Sequence, residues 1–211
     1  ITRQQMQLSA QMTGNFLQLK KGDTALVCLN TAYIAGKMML VRGLEIGMNL
    51  QIIEPSANPL LNFPLTTQID FIALVPMQLQ SILKAEPSKL PILQKMKAII
   101  VGGAAVGQEL ERDLQGVKSP IYSTYGMTET ITHIALKRLN STTKKQAYKT
   151  LPKVKISQDS RGCLVICSPV TLDKELITND LVRLIDENHF EYLGRIDHVI
   201  NSGGVKIQSE K

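Results

Sequence analysis

Five consecutive residues, Tyr125-Gly-Met-Thr-Glu129, combine side chains that suit a nucleotide phosphate. Tyr125 offers a flat aromatic face for a base, and Gly126 lets the backbone approach a ligand closely. Thr128 supplies a hydroxyl for a phosphate oxygen, and Glu129 supplies a hard carboxylate oxygen for Mg2+. A strand-to-loop turn with a buried tyrosine and a solvated glutamate is the alternative interpretation of the same residues.

A second candidate is the run of small residues Gly102, Gly103 and Ala104, which follows an apolar segment. A planar ring is able to lie against a backbone with so little side-chain bulk. The spacing is not Gly-x-Gly-x-x-Gly, so it does not indicate a dinucleotide-binding fold. A plain turn before a helix that begins at Gln108 is the alternative.

A third candidate is an arginine on an otherwise apolar helical segment, Gly36–Arg42. Helical spacing places Met38 and Arg42 at i and i+4 on one face, with Met39 beside Arg42 at i+3. The guanidinium has the geometry to receive the second carboxylate of a dicarboxylic substrate through two hydrogen bonds. Alternatively, Arg42 caps the helix or pairs with a local acid such as Glu45.

Several segments, taken in their order along the chain, resemble the acyl-adenylate-forming superfamily, which includes acyl-CoA synthetases, luciferases and the adenylation domains of peptide synthetases. The segments are Tyr33–Arg42, Val101–Gly107, Tyr125–Glu129, and Asn179-Asp180 with Gly194–Asp197. Within the superfamily the pattern is most similar to the o-succinylbenzoate–CoA ligases of menaquinone biosynthesis. The resemblance implies an acid–thiol ligase that uses ATP, Mg2+ and CoA.

By this resemblance, Tyr125 stacks on adenine, Thr128 holds the α-phosphate and Glu129 binds Mg2+. Gly102–Ala104 then form one wall of the adenine and acyl pocket. Adenylation depends mostly on positioning and on neutralising charge. The catalytic residues are therefore expected to be Thr128, Glu129 and Arg195.

Residues near the C-terminus are expected to contact the ribose and to move the enzyme between its two reactions. Asp180 resembles the aspartate whose two oxygens accept hydrogen bonds from both ribose hydroxyls. Arg195 resembles the arginine that lies beside this aspartate and supplies positive charge. An Asn-Asp turn and a surface arginine are the alternative. Asp197 matches the hinge of a C-terminal lid, and Gly203 and Gly204 match the loop that enters the site for thioester formation.

The resemblance and the helical spacing together place the acyl group near Tyr33, Met38, Arg42 and Thr132. o-Succinylbenzoate carries the second carboxylate that Arg42 is suited to receive. Many superfamily members have a histidine where Tyr33 stands. His133 either contacts the acyl group as well or is a structural histidine with its own partner.

The elements that must position these residues follow from periodicity. Short β-branched apolar runs alternate with segments of helical period, which predicts an α/β fold with a largely parallel sheet layered with helices. Strands are expected at 25–29, 50–53, 71–75, 98–101 and 121–123, and helices at 2–19, 35–46, 76–85 and 108–114. Ligands of such sheets gather at the carboxyl ends of the strands.

After residue 131 the pattern changes to short alternating runs at 154–156, 163–167, 181–185 and 189–193, which is typical of a β-rich subdomain. Asp186–Asn188 suits a hairpin turn between the last two runs, and 137–149 is expected to form a surface loop. We therefore expect an α/β part at 1–130, a β-rich subdomain of the same large domain at 131–196, and a hinge with the start of a lid at 197–211.

Two expected segments are missing from the sequence. Members of the superfamily have a Ser/Thr/Gly-rich phosphate loop ending in lysine before this region, and a small C-terminal lid with a catalytic lysine after it. The chain is therefore expected to be a partial adenylate-forming core that does not complete the reaction by itself.

Composition narrows the function classes. The 211 residues carry a formal net charge of +6, but the basic residues are dispersed and aromatic residues make up only 4%, which does not favour nucleic-acid binding. ATP and CoA are polyanions that suit a mildly basic cleft. No apolar run reaches eighteen residues, and the three cysteines have no paired spacing, so the expectation is a soluble cytoplasmic protein with buried thiols.

Three functions remain open at this point. The first is the core of a carboxylate–CoA ligase acting on o-succinylbenzoate. The second is an adenylation module or acyl-CoA synthetase for another aryl or acyl acid. The third is a nucleotide-binding fragment without full activity. A homodimer is plausible in each case, because a partial core exposes sheet edges.

Overall fold

The computed structural model of the protein describes residues 1–85, 87–141, 147–197, 199–202 and 205–208. The α-helices in these ranges are α1 Arg3–Leu17, α2 Ile34–Ile46, α3 Pro76–Ala85, α4 Leu90–Leu93 and α5 Gln108–Asp113. The strands are β1 Thr24–Val27, β2 Asn49–Ile52, β3 Phe71–Leu74, β4 Ala98–Val101, β5 Ile121–Gly126, β6 His133–Arg138, β7 Tyr148–Thr150, β8 Lys155–Gln158, β9 Cys163–Cys167, β10 Leu176–Asp186, β11 His189–Arg195, β12 Val199–Ser202 and β13 Val205–Gln208.

Eleven of the described strands form one sheet in the order β2-β1-β3-β4-β5-β6-β7-β11-β10-β9-β8. The pairs among β1 to β5 are parallel. From β6 onward the pairs are antiparallel, and β12 and β13 form a separate antiparallel pair. The expected α/β class with a β-rich second half is thus confirmed. The division into units at 1–130, 131–196 and 197–211 stays a prediction, since a single sheet runs through the first two.

Local capping explains where the two helices nearest the site begin and end. Thr2 and Gln5 form a capping box at the start of α1, with Gln5 N–H donating to Thr2 Oγ1 at 3.2 Å and Thr2 N–H donating to Gln5 Oε1 at 2.9 Å. Gly47 ends α2 in the left-handed conformation, with φ of 78°, and its N–H donates to the carbonyl of Gly43 at 3.0 Å.

The core lies on both faces of the parallel strands, because successive strand residues point to opposite sides. Ala25 and Val27 of β1 face a cluster that includes residues of α1 and α2. Leu26 of the same strand faces a second cluster that includes residues of α3, α4 and α5. Burial in that second cluster raises the pKa of the Cys28 thiol to about 12.

Several sequence predictions were wrong in their bounds, among them the run expected at 181–185, which belongs to a strand that begins at Leu176. The loop expected at 137–149 is shorter, because Lys137 belongs to β6 and Tyr148 to β7, while residues 142–146 lie outside the described residues. β5 was expected to end at Ser123, but it continues to Gly126, because β6 pairs with its whole second half. The hairpin turn after Asp186 is confirmed by its pairing with His189.

Candidate active site

Tyr125 lies on β5 with its ring buried among other aromatic rings. The ring centroids of Tyr148, Phe190 and Tyr192 lie 5.7, 5.1 and 6.0 Å from that of Tyr125. Its hydroxyl donates to Asp180 Oδ2 at 2.5 Å. Burial, followed by the negative charge of Asp180, raises the pKa of Tyr125, so the phenol remains a donor. Stacking of this ring on adenine stays a prediction.

A surface cavity of about 260 Å3 adjoins this aromatic cluster. Tyr148, Tyr192 and Ser123 line it, together with Ala105 and Val106. The segment that follows the Gly102–Ala104 turn therefore reaches the same surface as the Tyr125 cluster. Neither Tyr125 nor Gly102–Ala104 lines the cavity, so a shared nucleotide site for the two segments stays a prediction.

The turn after β4 has steric reasons to contain glycine at two positions. Gly103 has a φ of +84°, which side-chain-bearing residues rarely adopt, and a Cβ on Gly102 would lie 2.3 Å from Thr124 Oγ1. The turn interpretation therefore holds, and the contact of Gly102, Gly103 and Ala104 with a ligand stays a prediction.

Arg195 on β11 lies between two carboxylates. Its Nη1 is 3.7 Å from Asp180 Oδ1, and its Nε and Nη2 donate to the two oxygens of Asp197 at 2.8 and 2.6 Å. The hydrogen bonds to Asp197 raise the pKa of Arg195, partial burial opposes this, and the charge of Asp180 adds to the rise. Asn179 also donates to Asp197, at 3.2 Å. The structure thus brings together three predicted residues, Asp180, Arg195 and Asp197.

Thr128 and Glu129 lie in a short 3-10 helix, Thr128–Thr130, directly after β5. Both side chains are exposed, and neither makes a hydrogen bond within the described part of the chain. An exposed carboxylate with no protein partner is chemically suited to a hard cation held jointly with phosphate oxygens. Gly203 and Gly204, expected in the thioester-stage loop, lie outside the described residues.

Arg42 on α2 is a fully enclosed cation, with 2% of its surface exposed. Its Nη2 donates to Thr132 Oγ1 at 3.2 Å, and its Nη1 lies 3.9 Å from Met39 Sδ. Its Nε has no hydrogen-bond partner among the described residues. Burial lowers the pKa of Arg42 to about 10, so the guanidinium is still charged at neutral pH.

The alternative pairing of Arg42 with Glu45 is wrong. Glu45 accepts hydrogen bonds from Gln7 and Gln11 of α1 at 3.1 and 2.6 Å. Within the described ranges, no carboxylate oxygen lies within 4.0 Å of the Arg42 guanidinium. An unpaired charge in such a position costs several kcal/mol. Binding of an acyl carboxylate at Arg42 stays a prediction.

Gly126 connects the nucleotide box with the acyl candidates. It pairs with His133 across β5 and β6, and a Cβ on Gly126 would lie 2.2 Å from the Thr132 carbonyl oxygen and 2.5 Å from His133 Cα. The close approach expected at this glycine is therefore made by the chain itself. A ligand contact at Gly126 stays a prediction.

Two residues of the predicted acyl site are placed differently from Arg42. Tyr33 caps the start of α2 with 71% of its surface exposed. Met38 is fully buried in the cluster that contains residues of α1 and α2. Their roles in binding an acyl group stay predictions.

Sequence reasoning missed two hydroxyl residues on α1. Ser9 Oγ lies 2.8 Å from Thr132 Oγ1, and Thr13 Oγ1 lies 3.0 Å from His133 Nε2. The sequence did contain a signal that could have revealed them, because Ser9 and Thr13 are polar residues spaced at i and i+4 in the apolar half of the helix. Burial, followed by the charge of Arg42, lowers the pKa of His133 well below its usual value. The interpretation of His133 as a structural histidine with its own partner is therefore supported.

Within the described residues, no cluster of three or more metal-binding side chains is preformed, and no helix is long and apolar enough to cross a membrane.

Comparisons with known proteins agree with this geometry. The model of the family described as AMP-binding enzyme matches residues 2–165. The crystal structure of an acyl-CoA synthetase (AMP-forming)/AMP-acid ligase II-like protein from Dyadobacter fermentans has a TM-score of 0.87 and 46% sequence identity, covering 99% of this chain and 59% of that one. Comparison with curated proteins gives no match.

More distant structures share the fold. o-Succinylbenzoate coenzyme A synthetase (MenE) from Bacillus subtilis, in complex with ATP and magnesium ion, has a TM-score of 0.76 at 22% identity over 98% of this chain and 49% of its own. MenE from E. coli, with a phenylether-linked analogue of OSB-AMS, has a TM-score of 0.72 at 20% identity over 98% and 47%. The chain thus spans between 47% and 59% of the lengths of these proteins.

Proposed function

The chain belongs to the AMP-binding enzyme family, and from this premise we propose that it forms the substrate-binding core of an o-succinylbenzoate–CoA ligase. In the proposed reaction, one carboxylate attacks the α-phosphate of ATP with loss of pyrophosphate, and the thiolate of CoA then displaces AMP. The observation that carries the choice of substrate is the buried guanidinium of Arg42, which lacks a carboxylate partner within the described residues.

o-Succinylbenzoate has two carboxylates, and only one of them is activated. The unreacted carboxylate fits the Arg42 site, because Arg42 Nε carries an unused donor and Thr132 supplies a hydroxyl beside Arg42 Nη2. A buried guanidinium binds a carboxylate through strong, charge-assisted hydrogen bonds. A monocarboxylic aryl acid would leave the same charge unpaired, so the site discriminates by charge.

The nucleotide half of the proposed site uses Asp180, Tyr125, Arg195, Thr128 and Glu129. Asp180 has two acceptor oxygens for the ribose hydroxyls, and Tyr125 orients one of them by donating to Oδ2. Arg195 supplies positive charge 3.7 Å from the other oxygen. Thr128 would donate to a phosphate, and Glu129 would hold Mg2+, which would neutralise phosphate charge during adenylation.

The relatives support the proposal at two levels. The Dyadobacter fermentans protein is named as an AMP-forming acyl-CoA synthetase, which supports the reaction class. The B. subtilis MenE structures include complexes with ATP and magnesium ion and with the acyl-adenylate intermediate OSB-AMP, which supports the choice of ATP, Mg2+ and this acyl group. CoA as thiol is supported by a MenE complex with OSB-NCoA.

A ligase for another acid is the second candidate, favoured by the general name of the 46% identical relative. A third possibility is nucleotide binding without turnover. The free thiols Cys28, Cys163 and Cys167 suit the reducing cytoplasm, where we place the protein. A homodimer stays a prediction.

The test is a calorimetric titration of this chain with two non-hydrolysable adenylate mimics, one o-succinylbenzoyl and one benzoyl. We expect the wild type to prefer the first, and Arg42→Ala to lose about 2 to 4 kcal/mol of that binding because a buried carboxylate is left unpaired. The exposed Arg112→Ala is the matched control and should bind as the wild type does. Equal binding of both mimics would sink the choice of substrate. Binding of neither would favour an incomplete fragment.

A further inference from the structure

We propose that Ser9 and Thr13 on α1 are positioning residues for the Arg42 site. In this arrangement, Ser9 donates to the Thr132 hydroxyl while Thr132 donates to the ligand, and Thr13 accepts from His133 and so favours the tautomer that is protonated on Nε2. The inference rests on the proposed function, because it takes Arg42 as the receptor of the unreacted carboxylate.

The two hydroxyls point to one neighbouring segment rather than to solvent. Ser9 and Thr13 are 1% and 0% exposed, and their spacing of four puts them on the same face of α1. Their partners, Thr132 and His133, are adjacent in sequence and lie more than a hundred residues further along the chain. Buried hydroxyls are costly unless they are hydrogen-bonded, so the pairing is a specific feature of this packing.

Thr13 Oγ1 lies 3.0 Å from both the Ser9 carbonyl oxygen and His133 Nε2, and it has a single proton to donate. In the proposed arrangement this proton goes to the Ser9 carbonyl, and Thr13 accepts from His133, so the ring proton is on Nε2. The ring stays neutral in this environment, since burial and the charge of Arg42 both oppose protonation. The positive charge offered to a ligand is then that of Arg42 and not of the histidine beside it.

The Thr132 hydroxyl has two possible arrangements. Its oxygen accepts from Arg42 Nη2, because a guanidinium only donates. If Thr132 donates to Ser9, it has no proton left for a ligand. If Ser9 donates to Thr132, the Thr132 proton is free. A carboxylate only accepts hydrogen bonds, so its arrival selects the second arrangement, and Ser9 then strengthens the new bond by donating to the same oxygen.

The backbone that presents Thr132 and His133 to α1 is strained at Ile131. Ile131 has φ of 67° and ψ of −62°, and the N–H of Thr132 donates to the carbonyl of Thr130 at 2.7 Å. These are the features of a γ-turn of the rare, strained kind, at a β-branched residue. The Thr130 hydroxyl also donates to the Thr132 carbonyl at 2.7 Å. Strain of this kind persists where the surroundings require one geometry, here the presentation of Thr132 and His133 to α1.

The first experiment needs no ligand. Long-range 1H–15N spectra of the imidazole rings report the tautomer of His133, with assignment aided by replacing the other two histidines of the sequence with glutamine. We expect the Nε2–H tautomer in the wild type and in Thr13→Ser, which keeps the hydroxyl. Thr13→Val has a similar volume but no hydroxyl, and it should shift the ring toward the other tautomer. Thermal unfolding of each variant checks that it is folded.

The second experiment is titration of Ser9→Ala with the same two adenylate mimics. We expect up to about tenfold weaker binding of the o-succinylbenzoyl mimic, the size of one hydrogen bond between two neutral hydroxyls, and unchanged binding of the benzoyl mimic. A merely structural role of Ser9 would weaken both mimics equally.

The two experiments separate two kinds of failure. If the wild type binds both mimics equally, the choice of substrate fails, and the tautomer of His133 in Thr13→Val still decides whether α1 positions this segment. If the wild-type ring carries its proton on Nδ1, or if Thr13→Val leaves the tautomer unchanged, the role of Thr13 is overturned. If Ser9→Ala weakens both mimics equally, the role of Ser9 is overturned while the choice of substrate stands.

Discussion

The hydroxyl of Tyr125 donates to the carboxylate of Asp180 across 55 positions of sequence, and so joins β5 in the middle of the sheet to β10 in its antiparallel half. Asp180 is buried, with 7% of its surface exposed. This bond satisfies an acceptor that would otherwise lie in a poorly solvated position. It therefore stabilises the fold as well as orienting the proposed ribose-binding residue.

Tyr125→Phe removes only the hydroxyl from this pair. We expect a loss of about 1 to 3 kcal/mol in the free energy of unfolding, because the buried Asp180 loses a donor. Urea denaturation followed by circular dichroism measures the loss. Tyr122→Phe is the matched control on the same strand, since its hydroxyl makes no hydrogen bond within the described residues. Equal losses in both variants would contradict a stabilising role of the hydrogen bond between Tyr125 and Asp180.

Arg42→Met is expected to stabilise the ligand-free chain at pH 7 while abolishing recognition of the second carboxylate. Replacing an unpaired buried charge by an apolar side chain of similar length typically gains about 1 to 4 kcal/mol. The measurement is the free energy of unfolding of wild type and variant in urea.

The difference in the free energy of unfolding between Arg42→Met and the wild type is expected to depend on pH. The pKa of Arg42 is lowered to about 10 in the folded state, so above that pH the folded wild type releases a proton that the unfolded chain still holds. Wild-type stability then rises with pH relative to the variant, and the gap between the two shrinks above pH 10. A gap that is constant from pH 7 to 11 would contradict the burial of an uncompensated charge.

Because His133 is buried, the free energy of unfolding is expected to fall in acid. Its pKa is lowered well below the usual 6.5, by burial and by the charge of Arg42, so at mildly acidic pH the unfolded chain binds a proton that the folded chain does not. The free energy of unfolding should fall as pH drops below about 6.5, by up to about 1.4 kcal/mol per pH unit. Comparing urea midpoints at pH 7.5 and 5.5 measures this slope. His133→Gln should flatten it.

Gly126→Ala should destabilise the protein, because the new Cβ would lie 2.2 Å from the Thr132 carbonyl oxygen and β5 and β6 would have to separate. Overpacking of this kind costs about 1 to 3 kcal/mol. Gly116→Ala is the control, since a Cβ at that position has nothing within 4 Å. The melting temperatures of the two variants give the comparison, and a neutral Gly126→Ala would show that this part of the sheet relaxes freely.

Local signals in the sequence predicted the elements that depend on neighbouring residues. Gly47 marks the end of α2 and Pro76 the start of α3, because the backbone preferences of these residues act at their own positions. Contacts set by distant pairing were not predictable. From the sequence, Tyr148 was expected to lie in a polar loop. It lies in β7 because that strand pairs with β6 on one side and with β11 on the other.

The site shows the same limit. Helical spacing placed Arg42 correctly on an apolar face, but Glu45 was an equally good partner on spacing alone. Only the packing of α1 against α2 reveals that Gln7 and Gln11 bind Glu45 and leave Arg42 without it. Likewise, the contact between Ser9 and Thr132 depends on where a helix near the start of the chain crosses a turn in its second half.

The alternation of strand residues between the two core clusters has a consequence for protein engineering. The Tyr125 ring, Met38 and Met39 pack in the cluster that contains residues of α1 and α2, whereas α3, α4 and α5 pack on the opposite face of the sheet. Substitutions in the latter cluster are therefore expected to change thermal robustness and expression yield with little effect on the proposed ligand selectivity. Libraries that aim to change the acid accepted by the proposed site belong on the other face.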